Sequence, residues 1–310
     1  MNKVSVIVAT CRRESELTRA LDSLAKQTYS DMEIIVVDDN GCTQWNEKVA
    51  DRISAFRKAH PDVELTLVVN RRNLGSAGSR NVGIHRARGS YITFLDDDDL
   101  YLPPKVERQV TFMEKEKLDY CITDLELYNE EDKRIDCRVR SGIRDDSREA
   151  LRQYHLTHHL TGTDTLMFRT GYIREIGGFA PIDIGDEFYL MQKAIDGNGK
   201  FGYLPGCDVK AYIHTGEKSL SCGEGKIVGE CLLYDFKKAY FRNIDRKSRQ
   251  YIRMRHYAVL AFAEVRRKHY CSFFVNGLKS FVCLPPQCVK LIVSRMLVNA
   301  MDAGDCMRIW

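Results

Sequence analysis

Residues 89–99 read Gly89-Ser90-Tyr91-Ile92-Thr93-Phe94-Leu95-Asp96-Asp97-Asp98-Asp99, an apolar run that ends in four consecutive aspartates. Tyr91 to Leu95 has the length and the β-branched, aromatic content of a strand buried on both faces. The carboxylates that follow repel one another and make each harder to ionise, so four in a row do not serve folding. A divalent cation removes that cost; Mg²⁺ and Mn²⁺ prefer carboxylate oxygens and commonly share substrate phosphates. For an isolated acidic run the plain alternative is a solvated loop or a helix N-cap. Context decides between the two.

Upstream, Val4 to Ala9 is a second short apolar run, and Glu14 to Gln27 carries Leu17, Ala20, Leu21, Leu24 and Ala25 at helical spacing. A strand is expected over Glu33 to Val37, leading into Asp38-Asp39-Asn40-Gly41, then a helix over Asn46 to His60 and a strand over Glu64 to Val69. Gly75 to Ala87 reads as a Gly- and Ala-rich helix. Strand and helix alternating at this spacing require crossover connections and a parallel sheet. Ligands bind beyond the carboxyl ends of such strands. The polar residues at Thr10, Asp38-Asp39 and Asp96 to Asp99 therefore fall on one edge.

Downstream, a helix is expected from Pro104 to Glu116, and strands over Tyr120 to Tyr128 and Leu166 to Arg169. Ser141 to Thr163 reads as an irregular polar loop, a candidate acceptor-side wall, with Asp164 close after it. The turn Gly177-Gly178-Phe179-Ala180-Pro181 precedes Gly185-Asp186-Glu187 and a helix to about Asp196. Short strands follow over Phe201 to Tyr203 and Val209 to His214. Lys226 to His269 is helical in pattern throughout, and the rest divides into two helices around Pro285-Pro286. Two domains are expected, residues 1–222 and a helical extension over 223–310.

With 310 residues, 44% hydrophobic and 29% charged, the chain has a globular composition. Its net charge of +4 is unevenly spread. Residues 236–290 hold thirteen Lys or Arg against Asp245 and Glu264, a local +11 that leaves −7 for the remainder. The eleven cysteines form no Cys-x-x-Cys pair and no regular spacing, which fits reduced thiols in the cytoplasm rather than a disulfide framework. Met1-Asn2-Lys3 leads directly into the first strand, too short for a signal peptide, and no run of 18 apolar residues suggests a membrane span.

Asn73-Leu74-Gly75-Ser76-Ala77-Gly78-Ser79-Arg80-Asn81-Val82-Gly83 lies just before the acidic strand. Its glycines permit either close approach to a ligand or tight packing of a helix on the sheet. Arg80 offers a forked donor to a phosphate or base edge. No Gly-Lys-Ser/Thr follows, so the segment is not a P-loop.

Together these segments closely resemble the inverting family-2 glycosyltransferases of the GT-A fold. The resemblance runs over about residues 1–220, through Val4 to Thr10, Leu21 to Thr28, Glu33 to Asp39, Asn73 to Gly83, Gly89 to Asp99 and Gly177-Gly178-Phe179. It implies a mixed α/β sheet flanked by helices, and a nucleotide-sugar donor, preferably a UDP-sugar. By the same resemblance Thr10 and Asp39 contact the nucleotide base, and Arg80 lies near base and phosphates. Asp96 and Asp98 match an Asp-x-Asp motif, Asp96 nearer the ribose and Asp98 on an Mn²⁺ or Mg²⁺ that bridges the diphosphate. Asp97 joins the donor-binding group, while Asp99 is open between that role and capping the next helix. The acceptor's base falls at Asp186-Glu187, where the order is Asp-Glu rather than Glu-Asp; Asp186 is favoured and Glu187 is the alternative. An acidic first helical turn would look the same. His214 matches a late histidine that binds metal or diphosphate.

The basic extension reads either as a packed helical appendage or as a surface that lies on an anionic membrane, where a lipid-linked saccharide acceptor would be found. Surface-polysaccharide assembly is the setting that the resemblance implies. A sugar-nucleotide pyrophosphorylase is the rival enzyme, but its first loop should be glycine-rich and this one reads Cys11-Arg12-Arg13-Glu14. A nucleic-acid-binding module would explain the basic tail and leave the aspartates unexplained, so no nucleic-acid partner is expected.

Overall fold

Alternate residues of the first strand, β1 (Val4–Thr10), serve two separate layers of the structure. Val4, Val6 and Val8 pack with Leu17, Leu21 and Leu24 of α1 (Glu14–Ala25), Val49 and Ile53 of α2 (Thr43–Ala59), and Val106 and Met113 of α4 (Lys105–Glu116). Ile7 faces the other way, onto α3 (Gly75–Arg86). A Cβ added at Gly83 of that helix would meet Ile7 Cγ2 at 2.4 Å. Both faces of the strand are thus covered, and its sequence is apolar apart from Ser5, whose hydroxyl donates to the buried Glu33, and the terminal Thr10.

This computed structural model describes residues 2–182, 185–213 and 224–301, apart from the side chains of 224, 226 and 294–301. The chain forms two compact units. One comprises residues 1–146 and 160–213, the other residues 147–159 and 214–310. The expected boundary at 222/223 lies outside the described residues.

The first unit is built on a seven-stranded sheet in the order β10-β6-β9-β4-β1-β2-β3. Here β2 is Met32–Asp38, β3 Glu64–Val69, β4 Tyr91–Phe94, β6 Tyr120–Thr123, β9 Leu166–Arg169 and β10 Phe201–Leu204. Neighbouring strands from β4 to β3 run parallel, with Thr10 opposite Asp38 and Ile7 opposite Phe94. Only β9 is antiparallel to its neighbours. The expected convergence of Thr10, Asp38-Asp39 and the aspartate run on one edge is observed. A second sheet, β5-β11-β7-β8, joins Leu100–Tyr101, Val209–Tyr212, Leu125–Tyr128 and Arg134–Arg138. Two further helices, α6 (Thr170–Glu175) and α7 (Asp186–Asp196), complete this unit.

Several expectations need correction. Tyr120 to Tyr128 is not one strand: it breaks at the buried Asp124, and its halves enter different sheets. Asp124 accepts from the Arg140 and Gly206 amides and the Tyr203 hydroxyl, so its carboxyl turns the chain from one sheet to the other. Within the polar stretch 141–163 lies a helix, α5 (Arg148–His158), whose N-cap Ser147 accepts from the Ala150 amide. Asp99 does not cap α4, which begins six residues later after Pro104.

In the second unit the helical stretch is interrupted. It divides into α8 (Glu224–Ala239) and α9 (Arg246–Arg266), the latter capped by Asp245, whose carboxylate accepts from the Ser248 amide at 2.8 Å. The chain continues as α10 (Tyr270–Cys283) and α11 (Pro285–Met301), the proline pair opening the last helix. No helix among the described residues is long and apolar enough to cross a membrane.

Candidate functional site

At the carboxyl edge of the parallel strands, the aspartates of the acidic run are held by partners from several elements. Thr10, the last residue of β1, donates from Oγ1 to Asp97 Oδ2 at 2.7 Å. Arg13 donates to Asp97 Oδ1 at 3.0 Å and to Asp98 Oδ2 at 2.5 Å. Arg12 stands at φ 58° and its amide donates to Asn40 Oδ1, a left-handed turn in the loop that presents Arg13. Asp97 is buried, and that burial, followed by the charge of Asp98, raises its carboxyl to about 7 against the pull of Arg13 and Thr10. Asp97 therefore faces inward and ties the acidic loop to β1.

Asp39, at the end of β2, is fixed from two directions. Its Oδ1 accepts from the Leu74 amide and from Asn70 Nδ2, both at 2.8 Å. Asn73 Nδ2 donates to the Asp39 carbonyl at 2.9 Å. The loop before α3 is thus hung on this one aspartate, which holds its buried carboxylate still.

Arg80 of α3 links the two ends of the site. It donates from Nη2 to Asp96 Oδ1 and from Nη1 to Asp186 Oδ2, both at 2.6 Å, and its side chain is 9% exposed. Those two carboxylates hold the guanidinium charged despite its burial. The Phe179 ring lies 5.4 Å from the guanidinium carbon and packs edge-on against Phe94 at 5.1 Å. Phe179 belongs to the Gly-Gly-Phe turn, which Asn81 pins by accepting from the Phe179 amide and donating to its carbonyl, both at 2.9 Å. Gly178 stands at φ 55°, with Asn81 Oδ1 where a side chain would begin. The turn thus braces Arg80 from behind.

Asp186 opens α7 and also accepts from Ser76 Oγ at 3.1 Å. The next residue, Glu187, is partly buried and, among the described residues, forms no ion pair of its own, although the charge of Arg80 reaches it. Desolvation first, then the charge and hydrogen bond of Asp186, raise its carboxyl to about 8.

Two contributors were not legible as such in the sequence. Arg13 lies 84 residues before Asp97; its only signal was the basic character of the first loop. Asp164, just beyond the candidate acceptor wall, accepts from the Asp96 amide at 2.6 Å. Its carboxyl shares a hydrogen bond with that of Asp99, which in turn accepts from the Tyr212 amide at 2.8 Å. Burial and the neighbouring acids raise both, Asp164 to about 7. Below them the buried Lys105 donates to Thr93 Oγ1 at 2.5 Å and to the Tyr101 hydroxyl at 2.7 Å. Burial lowers that ammonium to about 7.

The expected metal pair, Asp96 and Asp98, is shared between Arg80 and Arg13. Among the described residues, the site carboxylates with oxygens within 4.8 Å of one another are Asp96, Asp99 and Asp164. An all-oxygen donor set fits Mg²⁺ or Mn²⁺ better than a soft metal. His214 lies outside the described residues.

Comparison with known proteins agrees with this architecture. The chain is 30% identical over 126 residues to the Escherichia coli protein WfgD, named UDP-Glc:alpha-D-GlcNAc-diphosphoundecaprenol beta-1,3-glucosyltransferase; the match covers 41% of this chain and 47% of that one. The chain spans half or less of the length of such curated relatives, 22% for an uncharacterized glycosyltransferase of Rickettsia felis. Among solved structures, S. aureus TarS in complex with UDP-GlcNAc superposes with a TM-score of 0.56 at 16% identity, covering 90% of this chain and 91% of that one. Mannosyltransferase PcManGT from Pyrobaculum calidifontis, in complex with GDP-Man and Mn²⁺, gives a TM-score of 0.54 at 17% identity, covering 99% and 76%. These likenesses establish the GT-A fold. The sequence model described as glycosyl transferase family 2 matches residues 5–175, more than half of the chain and all the strands that carry the acidic loop: the chain belongs to glycosyl transferase family 2.

Proposed function

We propose that this chain transfers a sugar, with inversion, from a UDP-sugar to a hydroxyl of a saccharide or lipid-linked acceptor. The observation that carries this reading is Arg80, one buried guanidinium joined at 2.6 Å to both the acidic loop and the first residue of α7. It couples the region suited to a nucleotide diphosphate with the region suited to an acceptor.

In this reading Asp39 and Thr10 line the nucleotide end, and Asp97 keeps Thr10 and Arg13 in place. Asp96 and Asp98 would hold Mn²⁺ or Mg²⁺, Asp98 exchanging Arg13 for the cation, with Asp99 and Asp164 behind Asp96. When bound, that cation supplies positive charge to a departing diphosphate. Arg13, freed from Asp98, would add a further donor to the phosphates.

Glu187, rather than Asp186, is the residue we assign as the base. Asp186 is committed to Arg80 and Ser76, so its carboxylate is already engaged. Glu187, raised to about 8, is matched to taking a proton from an acceptor hydroxyl near neutral pH. The proton moves from the hydroxyl to the Glu187 carboxylate as the acceptor oxygen attacks the anomeric carbon from the side opposite the nucleotide.

WfgD's name specifies a lipid-diphosphate-linked acceptor. In this chain the apolar residues Phe274, Leu278 and Val282 recur every four residues on α10 and are 69%, 65% and 71% exposed, with exposed Lys279 beside them. That face supports peripheral contact with an anionic membrane on its cytoplasmic side, and a role in surface-polysaccharide assembly. Co-sedimentation with anionic but not neutral vesicles, lost in Phe274→Ser/Leu278→Ser, tests the membrane contact.

The activity itself is tested with a panel of nucleotide sugars in Mn²⁺ or Mg²⁺, scored by nucleotide release. Release from a UDP-sugar that needs the cation and falls about 10²–10³-fold in Asp98→Ala is expected, the scale of removing one electrostatic stabiliser of a leaving charge. Full metal-dependent turnover in Asp98→Ala would remove that residue from the centre.

A further inference from the structure

Away from the cleft, three side chains that the transfer reaction does not use converge at the second sheet. Glu126 lies on β7, Cys137 faces it in register on β8, and Cys207 precedes β11. The two Sγ atoms are 3.8 Å apart, and a carboxylate oxygen of Glu126 and both sulfurs lie within 4.8 Å of one another. Both cysteines are free thiols, partly buried.

We propose that Glu126, Cys137 and Cys207 form a zinc site. In tetrahedral zinc with Zn–S bonds of about 2.3 Å, two sulfurs sit about 3.8 Å apart along the tetrahedron's edge. The observed separation already equals that edge, so the sulfurs need not move towards each other. Only the Glu126 carboxylate has to close in, and water completes the fourth position.

The carboxylate is also oriented as a ligand requires. Glu126 Oε1 accepts from Arg134 and Oε2 from the Tyr128 hydroxyl, both at 2.8 Å. Each oxygen retains a lone pair for a metal, and such outer hydrogen bonds fix ligating carboxylates. Two thiolates select Zn²⁺ over the Mg²⁺ or Mn²⁺ suited to the aspartate cluster. The two sites would therefore sort metals by hardness.

A disulfide is the competing fate of two neighbouring thiols, and both cysteines are free here. With a dication among the three groups both thiols release their protons, and the two thiolates and the carboxylate bind the ion. Cys137 and Cys207 lie 70 residues apart in sequence, so the ion would fasten β7 and β8 to the segment entering β11.

The test uses the full chain, isolated reduced and without chelator, with zinc measured by elemental analysis and the site probed by Co²⁺ substitution. One zinc per chain is expected, with thiolate-to-cobalt charge transfer and tetrahedral d–d bands. Cys137→Ser/Cys207→Ser should lose both signals, while a Cys42→Ser/Cys271→Ser control at exposed positions keeps them. Glu126→Gln, which preserves shape, should weaken zinc affinity about 10–100-fold and covers the case of a misfolded double variant. Undiminished zinc in the cysteine variant and in Glu126→Gln, an absent charge-transfer band, or a Cys137–Cys207 disulfide found by peptide mass mapping in the isolated chain would each overturn the site.

Discussion

The two ends of the proposed site treat their carboxylates differently. Around the aspartate run the donor-side acids are clamped, Asp39 by the loop before α3, Asp96 by Arg80, Asp97 by Thr10 and Arg13, and Asp98 by Arg13, while burial raises Asp97, Asp99 and Asp164 behind them. At the start of α7 Asp186 is held by Arg80, and burial, then the charge of Asp186, push its neighbour Glu187 towards its protonated form. A site that must carry a fixed, highly charged leaving group benefits from rigid acids. One that must accept and later release a proton benefits from an acid poised near the working pH. Arg80 belongs to both ends, so its position decides whether they act as one site.

The most disruptive change is therefore Arg80→Met. It leaves Asp96 and Asp186 without their shared cation, and breaking a buried pair in this way costs about 3–5 kcal/mol. Expressed at the site, this amounts to a fall in kcat/KM of about two to four orders of magnitude, with both donor affinity and transfer affected. A loss confined to donor affinity would separate the two ends and break the comparison.

The next effect is in the pH profile. With Glu187 raised to about 8 and active only when deprotonated, kcat/KM for the acceptor should fall about tenfold per pH unit below about 8 and level off above it. That limb should disappear in Glu187→Gln. A wild-type profile flat down to pH 5 would give the base an ordinary carboxylate and remove the distinction between the ends.

The smallest effect is expected from Thr10→Val. Asp97 loses one donor but keeps Arg13, so stability should drop by about 1–3 kcal/mol. Thermal unfolding measures this directly. Weakened UDP binding beyond about tenfold would show that the Thr10 hydroxyl contacts the nucleotide itself rather than holding Asp97.

The parallel half of the sheet was legible because β1, β2 and β4 are mostly apolar and β3 alternates, each followed by a polar loop at the same edge. The antiparallel half was not. Asp124 sits inside an apolar stretch and turns the chain through partners at Arg140, Tyr203 and Gly206, which no local pattern announces. Leu100–Tyr101 is too short a strand to show any period. Helix α5 did carry a signal, Ser147 ahead of Arg148-Glu149-Ala150, but its polar composition obscured it. In the cleft the sequence named the acids and not their states. Arg13 and Asp164 reach the aspartate run across 84 and 68 residues, and pairing over such distances is set by the fold.

The most direct test of the central claim compares sugar transfer in Glu187→Gln and Asp186→Asn, alongside UDP-sugar binding by each. The account predicts that Glu187→Gln binds donor normally and loses about 10²–10⁴-fold in transfer, the range for removing a general base. Asp186→Asn should instead weaken donor binding through Arg80 and keep a pH limb, moved below 8 because the charge of Asp186 no longer raises Glu187. Unchanged transfer in Glu187→Gln, with the collapse seen only in Asp186→Asn, would contradict the assignment and return the base to the first residue of α7.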